Sequence, residues 1–307
     1  MTISAAEDGL AGCAMRSLFV SAPDGLRLHA ADYGSRLASR LPVVCLPGLA
    51  RTSADFDLLA RALAADCKAP RRVLALDYRG RGLSEFDRDP GNYTLPVELA
   101  DVIAVLTALS VHRAIFIGTS RGGLLAMLLG AAQPTRIAGV VLNDIGPVIE
   151  PIGLMRIKGY VGRLPQPHSL EEGGEILKRL FDGQFPKLSD ADWRAAAAKT
   201  WIERDGKWVP AYDPRLFRAL EGIDFDRPIP SVWPQFDSLA RVPMLVLRGA
   251  LSDLLSPDTV AAMRARRRNL EVVEVPDQGH APILDTPALR ARIAEFARAC
   301  DKRAGLS

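Results

Sequence analysis

The sequence predicts an α/β fold: a mostly parallel eight-stranded sheet with helices on both faces and a helical cap inserted after the sixth strand. Three observations carry that expectation. Short β-branched apolar runs alternate with longer helix-patterned stretches through residues 41–143 and again through 244–300. Such alternation implies parallel strands whose crossover helices cover both faces of the sheet. Residues 148–237 break the rhythm: they are richer in Pro and Trp, and offer no comparable buried strand. Finally, Gly118-Thr119-Ser120-Arg121-Gly122 lies between an apolar run at 114–117 and a second apolar stretch at 124–132.

The elements follow in order. Residues 16–34 predict a hairpin, with Ser17-Leu18-Phe19-Val20, a Pro23-Asp24-Gly25 turn, and Leu26-Arg27-Leu28-His29-Ala30 alternating apolar and polar. A buried strand is expected at 41–46, then a helix at 54–65 with Thr52 and Ser53 as capping candidates. A second buried strand spans 73–76. Helical spacing of Leu99, Val102, Ile103, Leu106 and Leu109, with Pro96 in the first turn, places a helix at 95–110. Strand 114–117, the helix after Ser120 and strand 138–143 complete the first half. Helical pieces near 170–182 and 190–203 belong to the cap, taken as 148–237, between core segments 1–147 and 238–307. Strand 244–247, a helix opened by Ser256-Pro257, strand 270–275 and a helix at 287–300 capped by Thr286 close the chain.

Composition narrows the function. With 48% apolar and 24% charged residues in 307, the chain has an ordinary globular balance and ample core-forming material. A net charge of +3 is too small to argue for a nucleic-acid partner, and Arg264, Arg266, Arg267 and Arg268 suit a solvated helix end. Cys13, Cys45, Cys67 and Cys300 are far apart, with no CxxC or Cys/His pairing, so neither a metal site nor another cofactor is expected. Glu7 and Asp8 stand where a secretory signal would be basic and then apolar. No apolar run approaches the ~18 residues of a spanning helix. A cytoplasmic monomer or homodimer acting on a small molecule is the expectation.

A G-x-S-x-G between strand and helix is a tight turn that lifts a serine hydroxyl clear of the sheet edge. The flanking glycines are required because a Cβ would clash where strand and helix approach. The pattern alone is cheap; its context gives it meaning. A serine hydroxyl needs a base. Of the four histidines, His29 lies in the early hairpin, His112 at the wrong end of its strand, and His168 in the cap. His280, in Asp277-Gln278-Gly279-His280-Ala281-Pro282, follows the last strand and emerges beside Ser120. The base needs an acid. Asp253 follows strand 244–247 and gives the chain order Ser120, Asp253, His280 expected for this architecture. Asp144, which ends the preceding strand, is an alternative; Asp258 suits a first helical turn. Backbone donors for an oxyanion are expected at Arg121 and, in Leu46-Pro47-Gly48-Leu49-Ala50-Arg51, at Leu49.

Four stretches together resemble the capped serine hydrolases of the α/β-hydrolase superfamily: Leu46-Pro47-Gly48-Leu49, Asp77-Tyr78-Arg79-Gly80-Arg81-Gly82-Leu83-Ser84, the turn at Ser120, and Gly279-His280. The resemblance implies Ser120 as nucleophile, His280 as base, Asp253 as acid, and Leu49 and Arg121 as oxyanion donors. Pro47-Gly48 departs from the His-Gly of many relatives, which weakens transfer of any subfamily's substrate. Relatives that open epoxides or displace halide carry aspartate where this chain has Ser120. The cap supplies Ile152, Leu154, Met155, Ile157, Tyr160, Trp193, Trp201, Trp208 and Phe217. These suggest an apolar pocket, with Met155, Tyr160 and Trp201 as candidate substrate contacts. Lys158 and Arg163 are the candidates for a substrate carboxylate. The expected activity is hydrolysis of esters with short-to-medium, mostly apolar acyl groups. Lactone or carbon–carbon bond hydrolysis, acyl transfer, and a non-catalytic binding module are the alternatives.

Overall fold

A computed structural model describes residues 14–225 and 227–306 of the chain. Glu7, Asp8 and Cys13 lie outside the described residues. Strands β1 (Arg16–Ser21) and β2 (Arg27–Tyr33) form the expected antiparallel hairpin, Ser17 opposite Ala31. Then come β3 (Val43–Leu46), α1 (Asp57–Ala64), β4 (Val73–Asp77), α2 (Leu95–Ala108), β5 (Ala114–Thr119), α3 (Arg121–Ala132) and β6 (Ile137–Asn143). The eight-stranded sheet has the order β1-β2-β4-β3-β5-β6-β9-β10, with β9 (Met244–Gly249) and β10 (Glu271–Val275) completing it. Within it β2 runs antiparallel to both β1 and β4, and the remaining pairings are parallel.

Strand periodicity divides the core in two. Val44 and Leu46 of β3 face a cluster with Val102, Val105, Leu125, Val260 and Met263, whereas Val43 and Cys45 face one with Leu59, Leu63, Ile293 and Phe296. Successive Cβ atoms on a strand point to opposite faces, so each central strand must be apolar on both. Helices α1 and α9 (Pro287–Arg303) thus cover one face, and α2, α3 and α8 (Pro257–Arg266) the other. Ser256 and Thr286 cap α8 and α9 as their sequence positions predict, each accepting from a first-turn amide.

Between β6 and β9 the chain forms α4 (Pro151–Tyr160), α5 (Leu170–Phe181), α6 (Asp190–Thr200), a hairpin of β7 (Trp201–Arg204) and β8 (Lys207–Pro210), and α7 (Trp233–Ser238). Ile176, Leu177, Phe185, Trp193, Ala197 and Trp201 make a separate small core there. The hairpin corrects the expectation of helix through 203. Asp205 and Gly206 both take positive φ, 51° and 71°, as a two-residue hairpin turn requires. This insertion touches loops at the C-terminal ends of the strands. Thr200 accepts from Arg51 after β3, Arg156 pairs with Asp253 after β9, and Gln184 accepts from the His280 amide after β10.

Candidate active site

Ser120 occupies the single residue between β5 and α3, with φ 52° and ψ −116°. A non-glycine residue holds such a conformation only where its surroundings impose it. Here they are tight. A Cβ on Gly118 would come within 2.5 Å of the Gly122 backbone, and one on Gly122 within 2.0 Å of the Leu46 carbonyl oxygen. The Ser120 amide donates to Asn143 O at 3.0 Å, and its carbonyl accepts from Gly123 N at 2.8 Å. The turn presents the hydroxyl above the C-terminal edge of the sheet.

His280 Nε2 lies 2.9 Å from Ser120 Oγ, and its Nδ1 lies 2.8 Å from Asp144 Oδ2. The carboxylate behind the imidazole is therefore that of Asp144, not Asp253. Asp144 is completely buried and follows β6 directly, at φ 54°. Its Oδ1 accepts from Gly249 N at 2.8 Å and its Oδ2 from Ser252 Oγ at 2.5 Å. The loop expected to supply the acid instead supplies hydrogen-bond donors to it. With both oxygens held, the carboxylate can orient the imidazole and stabilise its cation.

Asp253 faces the insertion. Arg156 on α4 donates to it twice, Nε at 2.6 Å and Nη2 at 2.9 Å. Burial pushes the Asp253 carboxyl upward, but the Arg156 guanidinium, with Gln184 and the nearby His280, outweighs burial and holds it below its ordinary value. It is a tie between insertion and sheet. The other histidines stay apart: His112 and His168 are exposed, and His29 is buried between Asp77 and Ser17.

The segment after β3 lies beside the serine, for a Cβ on Gly48 would be 3.9 Å from Ser120 Cβ. Its carbonyls are anchored in turn: Pro47 O accepts from Tyr78 Oη at 3.2 Å, Gly48 O from Arg51 N at 3.3 Å, and Leu49 O from Arg81 Nε at 2.8 Å. Arg121 is the first residue of α3, so its N–H has no partner inside the helix and points from the positive end of the dipole. Leu49 and Arg121 thus flank Ser120 from a loop and a helix start.

Of the candidate substrate contacts, Tyr160 is half-buried and packs edge-on against Phe181, ring centroids 5.1 Å apart. Burial raises its hydroxyl's pKa, against the lowering influence of Arg156 and Arg51. Met155 is exposed. Trp201 is a correction: it is completely buried in the insertion's own core, within 3.3 Å of a Cβ built on Gly173. Lys158 stacks on Phe225 at 5.2 Å, and Arg163 is exposed. Sequence patterns did not reveal Ser252, Gln184 or Arg156 near the site; polar residues in irregular segments carry no periodic signal. Among the described residues, no His, Cys, Asp or Glu cluster is arranged to hold a metal ion. No helix among them is long and apolar enough to cross a membrane.

Comparison with known proteins agrees with this fold. A model of the Alpha/beta hydrolase family matches residues 43–293. The 3-hydroxybutyrate-oligomer hydrolase of Cupriavidus necator is 36% identical over 282 residues, covering 89% of this chain and 94% of that protein. An α/β hydrolase from Novosphingobium aromaticivorans, known from its crystal structure, is 40% identical with a TM-score of 0.85, covering 92% of this chain and 98% of its own. Esterase YbfF of Escherichia coli is 37% identical over 108 residues, 35% of this chain and 39% of that protein.

Proposed function

This chain belongs to the α/β-hydrolase family, and on that premise we propose that it is a serine esterase in which Ser120 is nucleophile, His280 base and Asp144 acid. The observation that carries this reading is the unbroken hydrogen-bonded chain Asp144–His280–Ser120, at 2.8 and 2.9 Å. Ser120 Oγ attacks the ester carbonyl while His280 Nε2 takes its proton. The tetrahedral oxyanion is received by the N–H groups of Leu49 and Arg121. His280 then returns the proton to the departing alcohol, and water repeats the sequence to release the acid from Ser120.

Short-to-medium, mostly apolar acyl esters remain the substrate class, approached beneath the insertion, which serves as the cap. The relative named for 3-hydroxybutyrate oligomers favours short hydroxyacyl esters within that class, since such oligomers are joined by ester bonds. Turnover of p-nitrophenyl butyrate and of a 3-hydroxybutyrate dimer, beside a lactone and a vinylogous diketone, tests the reading. Ser120→Ala should lower ester kcat on the order of 10⁶-fold, as in other serine triads. Undiminished ester turnover in that variant would refute the assignment.

A further inference from the structure

The two segments that receive the oxyanion converge on one buried carboxylate. Glu98, in the first turn of α2, is completely buried. Its Oε2 accepts from Arg121 Nε at 2.6 Å, and its Oε1 lies 2.8 Å from Arg81 Nη1. Arg121 directly follows Ser120. Arg81, itself completely buried, donates from Nε to Leu49 O. One carboxylate therefore faces two guanidiniums, each tied to a different side of the oxyanion site.

Stability alone does not account for this arrangement. Taking charges out of water is costly, and well-packed apolar residues often stabilise as well as a buried ion pair. What apolar side chains lack is direction. Burial pushes the Glu98 carboxyl upward, but the Arg121 and Arg81 charges prevail and hold it below its ordinary value, so it stays ionised. The loop after β3 needs such an anchor because Leu49 lies beyond the strand ladder, whereas Arg121 moves with α3. An oxyanion donor must stand about 2.7–3.1 Å from an atom that exists only transiently. Two donors on separate elements meet that demand only if something couples them.

We propose that Glu98 is a positioning residue for the oxyanion site. Through Arg81 it holds the Leu49 segment, and through Arg121 it holds the residue after the nucleophile, so that both donors keep one register. The proposal rests on the serine-esterase reading above.

Glu98→Gln keeps the side-chain shape and removes the charge. Its kcat and KM on p-nitrophenyl butyrate are measured well below the unfolding temperature. The inhibition constant of a trifluoromethyl ketone, whose serine adduct carries the oxyanion, is measured beside them. We expect kcat to fall about 10- to 100-fold, the scale of a donor displaced by up to an ångström, with KM unchanged and ketone affinity reduced in proportion. Arg121→Gln should act in the same direction and more weakly. If Glu98→Gln does not fold, Glu98→Asp, which keeps the charge and shortens its reach, is read by the same split. A folded variant with unchanged kcat and ketone affinity, or with raised KM alone, overturns the proposal. Ester turnover surviving Ser120→Ala would instead remove the esterase reading itself.

Discussion

Ser17, His29 and Asp77 form a second serine–histidine–aspartate chain, with Ser17 Oγ 3.1 Å from His29 Nε2 and His29 Nδ1 2.7 Å from Asp77 Oδ2. Its spacings nearly equal those of Ser120–His280–Asp144. Both aspartates are also saturated: Asp77 accepts from Ser53 N at 2.6 Å and Leu83 N at 3.1 Å. What separates the two is the backbone around the hydroxyl. Ser17 sits in the regular pairing of edge strand β1, whereas Ser120 sits at positive φ with a helix start behind it and the Leu49 loop beside it. The same relay clamps a hairpin to the Asp77–Ser84 segment in one place and stands beside the start of α3 and the Leu49 loop in the other. A hydrogen-bonded triad is a bracket; donors for the developing charge make it a site.

The largest effect expected in the relays behind the hydroxyls is Asp144→Asn, which leaves the shape but lets His280 take the wrong tautomer, lowering kcat on the order of 10⁴-fold. Asp253→Asn, in the same assay, should keep kcat; the reverse pattern would restore Asp253 as the acid. Asp77→Asn should leave kcat intact and reduce stability by about 1–3 kcal/mol in urea unfolding, because buried amides lose a charged acceptor. A loss of kcat in a folded Asp77→Asn would give the second array a catalytic share. Ser17→Ala should change neither stability nor rate.

A smaller, pH-dependent effect concerns the tie at Asp253. Its folded carboxyl lies below the ordinary 3.8, so the pair contributes fully above that value and the contribution is lost as pH falls through the lower, folded one. As a partly exposed pair it should contribute about 1 kcal/mol. Asp253→Asn should therefore narrow the difference in melting temperature between about pH 6 and about pH 3. An identical acid-side slope in the variant would mean that the pair contributes nothing.

Much of the site was legible because its signals are local. The Gly118–Gly122 pentapeptide between strand and helix leaves room for one kind of turn, and the clashes a Cβ would meet there show why. His280 was the histidine placed after the last strand. The carboxylate behind His280 was misplaced because Asp144 and Asp253 both follow strands and both lie between Ser120 and His280, so chain order admits either. Register decides between them. Thr119 pairs with Asn143, so Ser120 and Asp144 leave adjacent strands at the same level, while Asp253 lies four residues past the end of β9. The Asp205-Gly206 turn was a readable hairpin signal, obscured by the helical pattern before it. Trp201 looked like pocket lining because an apolar side chain does not announce which core it joins.

By itself, then, the order of residues determined the alternating α/β architecture, the serine's turn and the imidazole that reaches it, since each depends on neighbours within a few positions. Which carboxylate stands behind that imidazole, and the joining of Arg81 to Arg121 through Glu98, were set by the folded chain alone. Those contacts link segments that are remote in sequence, and strand register and helix packing, not spacing along the chain, bring them together.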